Sequence, residues 1–372
     1  MRILFFLRMD IGRIAGGDVV EAGVLASALG ARGHQARVVS SLRAPEGSWD
    51  VVHLFNIDRA AELGAFLDAN RSFPGATVVL SPLHAWKSHD AGAVPGRLRG
   101  RVSRSMRNAR SMANLARASS ARPSLKWQPG APVVELAARA DGLAFHTAAE
   151  ERAFRRAYPE FRQPSAVIAP PLDAVAADPA VAAEVRALRP YVACVGRVEP
   201  LKNQRWLVRS GMAPDLNLVF AGAVNPKRPL YVARFRRDVR RQDRFRFLGA
   251  LDRAGVAAVL ENAVAHVLPS RAENFGLATL EALDLGCEAV IPAGHPAATV
   301  LGESVHLFDL RDPSSAVSQV RAIRSGLRRA HHFTREEYAP DNVVSRLLAL
   351  YGEVRAAADR GGNTASDRVG PE

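Results

Sequence analysis

The chain predicts an α/β protein of two domains, each a parallel sheet flanked by helices. Three observations carry this. The 372 residues suffice for two cores. Short apolar runs alternate with helix-period segments along both halves. Between them Pro159, Pro164, Pro170, Pro171, Pro179 and Pro190 crowd one window, as an interdomain link requires, and the alternation then restarts.

The first half opens with Ile3–Leu7, a buried-strand candidate, followed by a loop ending in Gly16-Gly17. A helix from about Asp18 to Ala31 gathers Val20, Val24, Leu25, Ala28 and Leu29 on one face and closes at Gly33. Arg37–Ser40, Val51–Phe55, Thr77–Leu80 and Gly142–Phe145 continue the strand series. Thr147-Ala148-Ala149-Glu150 then reads as a capping box. In the second half the strand candidates are Tyr191–Val195, Leu216–Phe220, Phe245–Leu248, Ala263–Leu268, Ala289–Ile291 and Val305–Phe308. The expected division is a Rossmann-like domain over 1–170 and a second over 171–357, facing a central cleft. The last helix, about 341–357, is free to pack back on the N-terminal domain. A Gly-, Asp- and Arg-rich tail, 358–372, is expected to be disordered.

Composition narrows the compartment. Ile3–Leu7 is interrupted by Arg8 and Asp10, too soon for a membrane span or a cleaved signal peptide. The two cysteines, Cys194 and Cys287, read as reduced thiols. A cytoplasmic protein is expected.

Its net charge of +13 favours an anionic partner. From Ala91 to Val134 there is no acidic residue, whereas Arg97, Arg99, Arg101, Arg104, Arg107, Arg110, Arg117, Arg122 and Lys126 are basic. As a helix, this stretch would put Leu98, Val102, Met106, Ala109, Met112, Ala113 and Ala116 on one side. That pattern suits an anionic membrane surface at 97–126, or a solvated helix packed on the N-terminal core. With Trp127 its only aromatic and no recognised motif, nucleic acid is not an expected partner.

The chemistry concentrates just after strands, where parallel sheets bind ligands. In LPSRAENFGLATLEALDLG (268–286), Glu273 precedes a helix start and Glu281 stands on its second turn. Amides at a helix N-terminus favour anions and hydroxyls, and carboxylates accept from paired hydroxyls. Tyr191–Val195 runs into Gly196-Arg197 and Lys202-Asn203, two cations five residues apart. Such a pair suits a pyrophosphate.

Together these motifs resemble the family 4 retaining glycosyltransferases of GT-B fold. The resemblance rests on Gly196-Arg197, Lys202-Asn203, Pro269-Ser270, Glu273-Asn274-Phe275-Gly276-Leu277 and Leu280-Glu281-Ala282. Looser echoes are Gly16-Gly17, Thr147–Glu150, Pro170–Asp173 and Phe247-Leu248-Gly249. It covers most of residues 1–355 in order, specifically in the C-terminal half.

The resemblance implies that Arg197 and Lys202 bind the diphosphate of a nucleotide sugar and that Glu281 holds the ribose. Glu273 would hold hydroxyls of the donor sugar, aided by Asn274 and the amides of Phe275, Gly276 and Leu277. Gly16 and Gly17 would let the first loop approach the phosphates. A catalytic histidine is expected at the end of an N-terminal strand, with His84 the candidate, His89 nearby, and Glu273 counted beside it at the catalytic centre; His53 falls inside a strand pattern and reads as structural. The acceptor implied is a glycan or lipid-linked molecule.

No two aspartates stand two positions apart, so the cations replace a metal in this reading, and no cofactor is expected. Two departures leave the donor open: Asn274 replaces the commoner glycine, and Gly286 is followed by Cys287-Glu288. The alternatives are a nucleotide-sugar epimerase or phosphorylase of the same fold, and a catalytically idle scaffold that kept the nucleotide-sugar site.

Overall fold

The computed structural model describes residues 1–11, 16–71, 73–83, 86–87, 131–159, 161–210 and 216–366. They fall into two compact units. The first draws on three stretches, 1–84, 94–171 and 337–372, and the second on 85–93 and 172–336.

The strands are β1 (Arg2–Phe6), β2 (Gln35–Val39), β3 (Val51–Phe55), β4 (Thr77–Ser81), β5 (Trp86–Lys87), β6 (Gly142–Phe145) and β7 (Ser165–Val167). After them come β8 (Tyr191–Val195), β9 (Asn217–Ala221), β10 (Phe245–Gly249), β11 (Ala265–Val267), β12 (Ala272–Glu273), β13 (Glu288–Pro292) and β14 (Val305–Phe308).

In the first unit six parallel strands lie in the order β2-β1-β3-β4-β6-β7. The central strands β3 and β4 are buried along their whole length. A parallel sheet covered on both faces demands that, which is why VVHLF and TVVLS read as unbroken apolar runs. One face of the sheet is covered partly by the Pro340–Ser366 helix, through Val343, Val344, Leu347, Leu350, Tyr351 and Val354. His53 is a core residue here. Its Nδ1 meets the Tyr351 hydroxyl at 2.7 Å, its Nε2 meets Ser81 Oγ at 2.8 Å, and burial drives its pKa down to about 3.

The second unit repeats the design in the order β10-β9-β8-β11-β13-β14, again parallel throughout. The central β8 is wholly buried, and the Tyr191 hydroxyl on it donates to the Val259 carbonyl at 2.6 Å. Among the described residues no helix is long and apolar enough to cross a membrane.

Most strand positions agree with the sequence pattern to within two residues, and the differences have physical causes. β7 lies inside the proline-rich window read as a link; Pro164 precedes it, and an edge strand tolerates that neighbour. Ser270–Asn274 is not a plain loop, because Ala272 and Glu273 form β12, antiparallel to β5. Two-residue strands leave no periodic signal. The helix that follows begins at Leu277, one or two residues later than expected. At Thr147 the cap forms, with Glu150 N–H donating to Thr147 Oγ1 at 2.9 Å, but the Glu150 carboxylate reaches back to the His146 amide instead of that of Thr147. The last helix continues to Ser366, past residue 358 where the tail was expected to begin.

Candidate active site

In the second unit the site starts with a turn that only glycines allow. At the end of β8 the chain turns at Gly196, with φ +149°. The matching turn after β9 is Gly222, φ +143°, and a Cβ there would stand 2.3 Å from the Gly196 carbonyl oxygen. The two strand exits therefore press backbone on backbone, a distance no side chain permits. Gln204 ties the turn down: its Nε2 donates to the carbonyls of Gly196 at 3.3 Å and Arg197 at 2.9 Å.

That turn places the two cations. Lys202 passes its methylenes over Gly196, 3.8 Å from where a Cβ would be, and its Nζ donates to Glu273 Oε1. Ser270 Oγ donates to the same oxygen at 2.7 Å. Burial works to raise the Glu273 pKa; the Lys202 ammonium and the Ser270 hydroxyl overcome it, so the carboxyl sits below its ordinary value. Arg197 meets Glu199 at 3.1 Å, and Asn225 Nδ2 holds the other Glu199 oxygen at 2.6 Å. So neither cation is a bare charge: each is aimed by a buried carboxylate that is itself oriented.

The Leu277–Asp284 helix begins at Gly276, φ +88°, where Thr279 N–H closes the first turn on the Gly276 carbonyl at 2.9 Å. Over this turn lies His295, from the loop after β13. Glu281 stands farther along the same helix and lines a pocket with Leu172, Asp173, Val175 and Arg253. Burial holds its carboxyl above the ordinary value against the pull of Arg253.

The structure thus brings Lys202 and Glu273 into contact, with Gly196 beneath the lysine, and sets Glu281 in a separate pocket of the same unit. Gly16 and Gly17 belong to the first unit and open the Gly17–Ala31 helix. Gly16 has a local reason to lack a side chain: a Cβ would meet Asp18 Oδ1 at 2.5 Å and Arg8 Nη2 at 2.9 Å, crowding an ion pair. His84 and the 97–126 segment lie outside the described residues. Sequence reasoning noted Ser270 only as part of Pro269-Ser270, with no role toward Glu273, and it missed His295. Each follows the end of a strand, and that position was the available signal.

Residues 189–325 match the family model described as Glycosyl transferases group 1. This stretch is a glycosyl transferases group 1 domain. It holds every residue of the site just described that lies between Tyr191 and His295. Curated relatives align over less than half of the chain. The D-inositol 3-phosphate glycosyltransferase of Mycolicibacterium smegmatis is 30% identical over 198 residues, 48% of this chain and 46% of its own length. That of Salinispora arenicola is 29% identical over 186 residues, 45% of this chain and 42% of its own length. The aligned stretch thus spans less than half the length of either relative.

Solved structures match the whole fold at low identity. A glycosyltransferase from Rickettsia africae has a TM-score of 0.65 at 11% identity, covering 95% of this chain and 98% of that one. Anabaena Alr3699/HepE, solved with UDP and glucose, has a TM-score of 0.60 at 15% identity, covering 98% and 100%. The group 1 domain and its partner unit therefore have the GT-B fold.

Proposed function

We propose that the chain is a retaining glycosyltransferase that moves a hexosyl group from a nucleotide diphosphate sugar to a glycan or lipid-linked acceptor, without a metal. The observation that carries the reading is the oriented Lys202–Glu273 pair at the glycine turn after β8, inside the group 1 domain. Breaking the anomeric bond builds charge on the departing diphosphate, and preorganised cations stabilise that charge as it forms. In this reading Lys202 and Arg197 meet the diphosphate, Glu281 the ribose, and Glu273, with Asn274 and the turn amides of Phe275, Gly276 and Leu277, the sugar. Glu273 accepts hydroxyls and is no acid or base, which fits a carboxyl kept ionised by its neighbours.

The bound UDP and glucose of the Anabaena structure support a nucleotide-sugar donor. Retention, a role for Gly16, Gly17 and His84, and a place in bacterial cell-surface polysaccharide synthesis at the inner membrane face rest on the family resemblance. Membrane contact rests on the basic stretch 97–126. The domain boundary near residue 170 belongs to the same reading.

The test is a thermal-stabilisation screen of nucleotide sugars, with Lys202→Ala and Glu281→Ala beside the native chain. A donor at 100 times its Kd adds about 2.7 kcal/mol, and both variants should lose most of it. If no nucleotide sugar stabilises the native chain, the reading falls. Donor binding with no turnover on any acceptor pool would instead favour the idle scaffold.

A further inference from the structure

The turn that opens the Leu277–Asp284 helix has polar neighbours to which the reading above assigns no role. His295 is 1% exposed and Thr279 is fully buried. Among the described residues His295 Nε2 and Thr279 Oγ1 have no hydrogen-bond partner. Both border the space where Gly276 lacks a side chain: a Cβ there would lie 3.2 Å from Nε2 and 3.5 Å from Oγ1. Two buried polar atoms thus converge on Gly276 at a helix N-terminus, three residues along the chain from Glu273. His53 in the first unit, by contrast, engages both ring nitrogens.

The ring's protonation follows from its other nitrogen. Ala297 N–H donates to His295 Nδ1 at 3.1 Å, so Nδ1 carries no proton and the neutral ring bears its hydrogen on Nε2. Burial keeps the ring neutral, lowering its pKa to about 4. A buried N–H donor and a buried hydroxyl without partners each destabilise the unliganded chain, a cost a bound group would remove. A neutral donor beside a hydroxyl does not match a phosphate, whose charge calls for cations. It matches an uncharged sugar hydroxyl, which accepts from Nε2–H and donates to Thr279 Oγ1.

We infer that His295 and Thr279, beside Gly276, form a hydroxyl-reading pair that recognises the sugar of the donor beside Glu273. The inference rests on the donor site proposed above and names the residues that select its sugar.

The experiment compares His295→Leu, His295→Gln and Thr279→Val with the native chain. Titration calorimetry uses UDP-, GDP-, ADP- and dTDP-hexoses and their parent diphosphates. His295→Leu and Thr279→Val should each weaken the nucleotide sugar about five- to tenfold and leave the parent diphosphate within about twofold. Glutamine, which keeps an N–H donor, should recover part of the loss. Thr279→Val removes an unpaired buried hydroxyl, so the unliganded variant should melt no lower than native; it carries the test if His295→Leu fails to fold. Repeating the titration with mono-deoxy sugars should show one hydroxyl whose removal abolishes the Thr279→Val effect. Equal losses of sugar and diphosphate, or no loss at all, would overturn the inference while leaving the donor site standing. A native chain that binds neither class of ligand would bring down both.

Discussion

Adding one methyl group to each glycine of the paired turns separates their two demands. At Gly196 the φ of +149° is unfavourable to any side chain, yet the space is open, with Lys202 carbons at ordinary contact distance. Gly196→Ala should therefore cost only backbone strain, about 1–3 kcal/mol. At Gly222 the φ of +143° is joined by a Cβ only 2.3 Å from a carbonyl oxygen. Gly222→Ala should cost more than about 3 kcal/mol and displace the Arg197–Lys202 turn. Denaturant unfolding of the two variants checks this, and equal losses would refute it. At this scale the sequence was legible where chemistry is local. Gly196, Lys202 and Glu273 were found because each follows a strand end in a recognisable order. His295 was not, because its loop comes from β13, and the approach to Gly276 exists only after both strands pair. Gly222 was hidden for the same reason: its partner is backbone, which has no sequence signature.

Among whole elements, the strands of the second unit carry an acid sensitivity that the first unit partly offsets. His266 on β11 and His295 after β13 are both buried and both lowered to about 4, mainly by burial, with Lys202 adding to it and Glu273 opposing. A group whose folded pKa lies below its unfolded value of about 6.5 gives full stability above that value, lost as pH falls toward 4. At pH 5 the two should together cost about 4 kcal/mol. Glu273, also lowered, loses its contribution further down, below its unfolded 4.5. In the first unit His53 is lowered, but His146, beside Glu21 at 2.8 Å, is raised, and its contribution persists in acid and is lost as pH rises. Hydrogen exchange at pH 7 and pH 5, corrected for intrinsic rates, should show the 188–325 peptides losing protection first. Earlier loss in the first unit would contradict this assignment. Strand identities were readable from β-branched runs such as YVACV. The burial of each histidine within them was not, since a strand pattern does not say which positions the covering helices seal.

For the whole molecule, two parallel-sheet halves were visible in the alternation of strands and helices, and the change of texture near Pro170 marked where one gives way to the other. The sequence reading left the last helix free to pack back on the N-terminal domain; the structure assembles the first unit from three separated stretches, with the Pro340–Ser366 helix sealing one face of its sheet. That feature sets an order of events during synthesis. Residues 172–336 leave the ribosome before the helix does, so the second unit can close while the first still exposes the apolar face around Ile3, Phe5, Val51 and Phe55. Such a nascent chain is expected to engage chaperones until its last long helix emerges. A chain stopped after Glu336 would lose six buried side chains at about 1.5–3 kcal/mol each, comparable to the entire stability of a domain. Pulse proteolysis of that shortened chain should leave a resistant fragment of the second unit and digest the first; equal resistance of both would show that the sheet can be sealed without the helix.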